Sequence, residues 1–229
     1  MDEGKQTMSR KRLGKYGLYC SLALLIGSSL VFIGCSAEML DAIAESVEEA
    51  NKPAPAPTQK EVIIPLSERI ILYRVDNTFY TGDFRGRGAI DNLCRNSRNR
   101  PSWATHAHGF ISRNVTPGDA IIDMPDNYGI PTSAPIVGPN GATIANNWDD
   151  LLDGNIATSL DQAGVLEYAK KWWSGSKANG TMRATCGEWT MTSGASGAQG
   201  DSSVTSVAWI EDGRIPLCTD TGQLLCVGW

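Results

Sequence analysis

His106 and His108 are the only two histidines in the 229-residue chain, and they stand two positions apart. On a strand that spacing puts both imidazoles on one face, where they could share a zinc ion. No free cysteine is at hand to complete such a set, and two surface loop histidines are the plainer reading. Asp201, Glu211, Asp212 and Asp220 form a second candidate set near the C-terminus. Calcium takes six to eight oxygens, and these carboxylates would supply some of them, although solvated loop acids are the default. Asp123/Asp126 and Asp149/Asp150/Asp153 are pairs of the kind that acid–base catalysis uses. At such short spacing, however, aspartates ordinarily mark turns and helix caps. The chain has no Gly-x-Ser-x-Gly, His-Glu-x-x-His or phosphate-loop motif, so it reads as a non-enzyme.

The elements that must position these groups begin with an export signal. Lys5, Arg10, Lys11, Arg12 and Lys15 precede an uncharged, mostly apolar run from Tyr16 to Gly34, the layout of a secretory signal. The run is long enough to graze the transmembrane window of about 17–25 residues, so a signal anchor is the competing reading. Phe32-Ile33-Gly34-Cys35 resembles the lipobox of bacterial lipoproteins. That resemblance implies cleavage before Cys35 and its acylation, with Ser36 favouring the outer membrane or cell surface. Loss of residues 1–34 leaves 15 basic against 23 acidic residues, a net charge of −8. Such a domain has no electrostatic reason to track nucleic acid, although Arg85, Arg87, Arg95, Arg98 and Arg100 leave room for one positive face.

Residues 35–60 read as the lipidated cysteine, a short amphipathic segment with Leu40, Ile43, Ala44 and Val47 at helical spacing, and a Pro/Ala tether from Lys52 to Lys60. Residues 61–229 make one domain large enough for a single core. Its expected fold class is α+β with long loops. Arg69–Val75 reads as a strand, followed by a turn at Asp76-Asn77 and a short strand at Thr78–Tyr80. Ile90–Arg98, Asn147–Gly154 and Asp161–Lys171 have helical apolar spacing. Gly109–Ser112 looks like a core strand, and Leu217–Val227 a hairpin about Asp220-Thr221-Gly222. Three tryptophans crowd Lys171–Trp189, and indoles of roughly 150–250 Å² each require a large buried surface. Trp172 and Trp173 could stack on sugars, but core is the stronger reading. Cys94, Cys186, Cys218 and Cys226 are an even number in an oxidising compartment, and four cysteines allow three pairings.

Several ordered segments are similar to endostatin, the C-terminal domain of the multiplexin collagens: Gly82-Asp-Phe-Arg-Gly-Arg-Gly-Ala-Ile-Asp-Asn-Leu-Cys94, Phe110-Ile-Ser112, Ala134-Pro-Ile-Val137, Trp148-Asp-Asp-Leu-Leu-Asp-Gly154, Trp173-Ser-Gly-Ser176, Cys186-Gly-Glu-Trp189 and Leu224-Leu-Cys226. The resemblance spans Val62 to Trp229. It implies a C-type-lectin-like fold with disulfides Cys94–Cys226 and Cys186–Cys218, and a core holding Trp148, Trp173 and Trp189. Endostatin's N-terminal zinc histidines have no counterpart here, and the −8 charge of the domain opposes the heparin binding that surface arginines give endostatin. The Glu-Pro-Asn and Trp-Asn-Asp segments of calcium-dependent lectins are absent.

The expected function is a non-catalytic, lipid-anchored envelope protein that binds a protein or glycan. Its contact surface is expected in the loops Thr116–Asn147 and Thr192–Ala208, since function concentrates in loops on a rigid scaffold. A calcium-dependent lectin and an envelope hydrolase are the alternatives. Intact mass of protein extracted from membranes is predicted to show residues 1–34 removed and a diacyl or triacyl addition on Cys35. An unprocessed N-terminus would mean a signal anchor.

Overall fold

The sequence Ile70-Ile-Leu-Tyr-Arg74 forms β1, and its first four side chains are all buried. Such a run suits a strand covered on both faces. Ile70 and Leu72 enter one hydrophobic cluster and Ile71 and Tyr73 the other, as period-2 geometry requires. The computed structural model describes residues 69–115, 118–168 and 170–229, all within the unit Glu61–Trp229. The signal 1–34, Cys35, the 35–60 tether and Val62 lie outside the described residues, as do Thr116 at the head of one expected binding loop and Ala169.

Five strands make one sheet in the order β2-β7-β1-β3-β4, comprising β2 (Ala107–Gly109), β3 (Ile136–Val137), β4 (Thr143–Ala145) and β7 (Leu225–Gly228). β1 runs parallel to β3 and antiparallel to β7. β5 (Lys171–Trp173) and β6 (Gln199–Asp201) form a separate antiparallel pair. The helices are α1 (Arg87–Asn96), α2 (Met124–Tyr128) and α3 (Trp148–Leu151). The class is therefore α+β, with two disulfides. They join Cys94 to Cys226 and Cys186 to Cys218, the pairing that the resemblance implies.

The adjacent indoles of β5 point to opposite sides. Trp172 stacks on Trp209 and Phe110, with centroids 5.9 and 5.8 Å away, and donates Nε1–H to the Trp209 carbonyl at 2.9 Å. Trp173 donates to the Tyr80 carbonyl at 2.7 Å and meets Trp189 edge-on at 5.8 Å. Trp148, Trp173 and Trp189 are all buried, and each indole except Trp148 in that set has its N–H satisfied. Trp189 reaches its place through an unusual backbone. Cys186, Gly187, Glu188 and Trp189 all have left-handed φ, from +49° to +64°. Each non-glycine there costs about 1–2 kcal/mol. The Cys186–Cys218 bridge constrains the unfolded chain by about 3–4 kcal/mol in the chain-entropy picture, and the buried indole adds its own transfer free energy. Together these offset the strain.

Five expectations need correction. Asp161–Lys171 is not a helix: Asp161–Gly164 form turns and Lys171 already belongs to β5. Gly164 stands at φ +75°, outside right-handed helix, and both Val165 and Leu166 N–H donate to the single Leu160 carbonyl. Their apolar spacing is met by a turn instead. Leu217–Val227 is not a hairpin, because Leu217 bridges Ser196 and Gly222 bridges Tyr80. The β7 residues pair with β1 and β2. The core strand expected at Gly109–Ser112 begins earlier, at Ala107, and ends at Gly109, with Phe110 N–H still donating to the Leu225 carbonyl of β7 at 2.9 Å. Likewise α1 starts at Arg87 rather than Ile90, and Thr78–Tyr80 makes only a bridge at Tyr80. The Asp76-Asn77 turn does form, with Thr78 N–H donating to Asp76 Oδ1 at 2.8 Å.

Trp189→Ala is predicted to lower stability by about 3–5 kcal/mol, read by urea unfolding under oxidising conditions. A melting temperature near wild type would contradict the assignment of Trp189 to the core.

Candidate functional site

Helix α1 buries Ile90, Asp91 and Cys94 and exposes Asn92 and Asn96, which lie one turn apart on the opposite face. Several contacts fix that helix against the end of β1. The Cys94–Cys226 disulfide holds its inner face, and Tyr73 OH donates to the Cys94 carbonyl at 3.0 Å. Just past the helix, Ser97 Oγ donates to the Val75 carbonyl at 2.6 Å and Asn99 Nδ2 to the Arg74 carbonyl at 3.1 Å. Burial, offset in part by Arg100, pushes the Tyr73 phenol well above its ordinary pKa, so it remains a neutral donor.

Between these elements lies a groove of about 650 Å³. One wall is Arg74 to Asn77 from β1 and its turn, and the other is Asn92, Leu93 and Asn96 to Asn99. Its four carboxamides retain open valences. Asn96 Nδ2 is committed to Asn92 O and Oδ1, at 2.9 and 3.0 Å, which leaves Asn96 Oδ1 as acceptor and Asn92 Nδ2 as donor. Asn99 keeps Oδ1. Asn77 and Arg98 have no side-chain partner among the described residues. Asp76 accepts from Tyr80 OH through both oxygens at 3.1 Å. Burial and then Asp76 push the Tyr80 phenol up to about 12. The groove thus presents planar donors and acceptors from two walls joined by the Ser97 and Asn99 ties, with Val75 and Leu93 as its apolar lining.

The residues singled out in the sequence are distributed elsewhere. His106 and His108 do share the β2 region, but within an aromatic column rather than a metal site. His106 stacks on Trp229 at 5.3 Å, and His108 lies between Trp229 at 5.7 Å and Tyr128 at 4.2 Å. His108 Nδ1 sits 3.2 Å from Asp91 Oδ2. Three of the four proposed calcium ligands are taken up by cations: Lys171 Nζ lies 2.8 Å from Asp201 and 3.0 Å from Asp212, while Glu211 pairs with Arg183; Asp220 is exposed. Among the described residues no group of three or more His, Cys, Asp or Glu could hold a metal. Burial pushes the Asp201 carboxyl up, but Lys171 and Ser203 more than offset this and hold it below the usual carboxylate range. Trp148, with Asp126, Asp149 and Ile122, lines a smaller cleft of about 330 Å³ between α2 and α3, at the expected Thr116–Asn147 loop. The other expected loop, Thr192–Ala208, contains strand β6.

Arg87, read in the sequence as part of a basic cluster, is buried. It joins an alternating chain, Glu188–Arg113–Asp119–Arg87–Asp91–His108, with N···O separations of 3.8, 3.3, 3.0, 3.7 and 3.2 Å. Burial raises the Asp91 pKa, but the hydrogen bond from His108, the Arg87 charge and the Gly109 N–H outweigh it and hold the carboxyl below its ordinary value. None of the groove residues was a candidate from the sequence, because Asn92, Asn96 and Asn99 gain a shared site only once β1 lies beside them.

No family model matches the chain, and no curated protein matches it.

A carboxylate depressed by folding contributes stability above its unfolded pKa of about 3.9, lost as pH falls through the folded value. The stability gap between wild type and Asp91→Asn is therefore predicted to be full at pH 7 and to shrink below about pH 4. Urea titrations across that range would read it; a gap independent of pH would show that Asp91 is not held ionised by the chain.

Proposed function

We propose that this chain is a lipid-anchored cell-envelope protein whose 61–229 domain is endostatin-like, with a C-type-lectin-like fold, and binds a glycan without catalysing its conversion. The observation that carries the reading is the groove, with four carboxamides and Arg98 presenting open donors and acceptors from a clamped scaffold. Vicinal sugar hydroxyls act as both donor and acceptor, and planar amides and guanidinium match that pattern. Ligand sites combine a few fixed polar groups with apolar contact, here Val75 and Leu93. Pre-ordered walls lower the entropic cost of binding. The lipobox resemblance supports the anchor, and the tether would hold the domain away from the membrane.

The calcium-dependent reading loses its support, because Asp201, Asp212 and Glu211 already neutralise Lys171 and Arg183. Opening them to a cation would strand those two charges.

Full-length chain purified in detergent is predicted to bind neutral glycans on a printed array, with binding unchanged by EDTA. Asn92→Ala combined with Asn96→Ala is predicted to lower affinity at least about tenfold, the worth of one or two hydrogen bonds, with melting unchanged. Signal lost on chelation would restore the calcium reading, and full binding by the double variant would exclude the groove.

A further inference from the structure

The fold that buries Trp172, Trp173, Trp189 and Trp209 completely leaves Tyr168 76% and Phe79 44% exposed. The segments that carry them are tied to the groove by charged side chains. Arg74 in its wall reaches Glu167 Oε1 at 3.5 Å, Glu167 precedes Tyr168, and Lys170 lies 4.0 Å from Glu167 and 5.4 Å above the Phe79 ring. From the other direction, Asp76 in the groove holds Tyr80, the residue after Phe79. The Tyr168 segment is also fixed at its base: Ser202 Oγ donates to the Glu167 carbonyl at 2.9 Å and accepts from Lys170 N–H at 3.0 Å. An exposed tyrosine on a turn held this way is presented for contact.

We infer that the site takes a chain of sugars rather than one, with one unit in the carboxamide groove and a neighbouring unit on the Tyr168–Phe79 shelf. This rests on the glycan reading of the groove and extends it to a ligand class, a neutral pyranose oligosaccharide of at least two units. The division of labour follows from the chemistry. A pyranose edge is lined with hydroxyls and suits the amides of Asn92, Asn96 and Asn99, whereas its C–H face is apolar and suits an aromatic ring. The groove offers only Val75 and Leu93 as apolar contact, so a ring face finds its aromatic partner next door. Both shelf residues present polar neighbours, Lys170 and Glu167, that can reach hydroxyls at the edge of the stacked ring.

The test uses full-length chain in detergent on a printed array of neutral gluco-, galacto- and manno-oligosaccharides of one to six units. Wild type is expected to bind two- and three-unit chains more tightly than single sugars. Tyr168→Ala with Phe79→Ala is expected to remove that gain, about tenfold for a lost aromatic stack, and to leave single-sugar binding unchanged. Asn92→Ala with Asn96→Ala is expected to weaken binding at every length. A shelf variant that keeps the wild-type dependence on length would overturn this inference while the groove reading stood. Wild type that binds no glycan of any length would overturn both.

Discussion

The bond between Cys94 and Cys226 joins the one helix of more than two turns among the described residues to the last strand of the sheet. It closes a loop across 132 residues of sequence, which removes about 5 kcal/mol of unfolded-state freedom in the chain-entropy picture. Because Cys226 pairs directly with Tyr73 and Gly109 in the neighbouring strands, the same bridge fixes α1 relative to both. The groove wall, the Tyr73–Cys94 hydrogen bond and the Ser97 and Asn99 ties to β1 all follow from that placement. Without the bridge, a ten-residue helix with exposed amides on one face would be marginal.

The inner side of α1 carries a different burden. Arg87 and Asp91 are nearly buried, and isolated charges there would be costly. They persist because the chain from Glu188 to His108 alternates in sign and satisfies most of its members. Buried ion pairs of this kind contribute little net stability but lose several kcal/mol if one partner is removed. Their effect here is positional. The network links the left-handed turn at Cys186–Trp189 through Glu188 to His108 on β2, so helix, turn and sheet share one polar seam.

Much of the scaffold could be read from local pattern. Ile70–Arg74 is apolar enough to show a strand, and the Trp-Trp pair with Trp189 marks a core because nothing else in the chain could cover so much indole. The resemblance to endostatin carried the disulfide pairing, which spacing alone left open. Local pattern failed where the partner is distant. Leu225–Gly228 has strand composition, but whether it pairs with Leu217 or with Ile71 depends on tertiary packing. Asp161–Lys171 failed because Val165 and Leu166 fit a helix face and a turn about Gly164 equally well. The groove was least legible: asparagines on an exposed helix face carry no chemical signature until β1 is set beside them. The acids that did look like ligands, Asp201, Glu211 and Asp212, were already matched by Lys171 and Arg183, which local spacing does not reveal.

The most direct test of the account is hydrogen exchange on the full-length chain, with and without the tightest-binding glycan from the array. Slowed exchange is predicted in the peptides spanning Arg74 to Tyr80 and Asn92 to Asn99. Protection confined to residues 118–147 and 192–208, with those two peptides unchanged, would contradict it and return the binding surface to the loops.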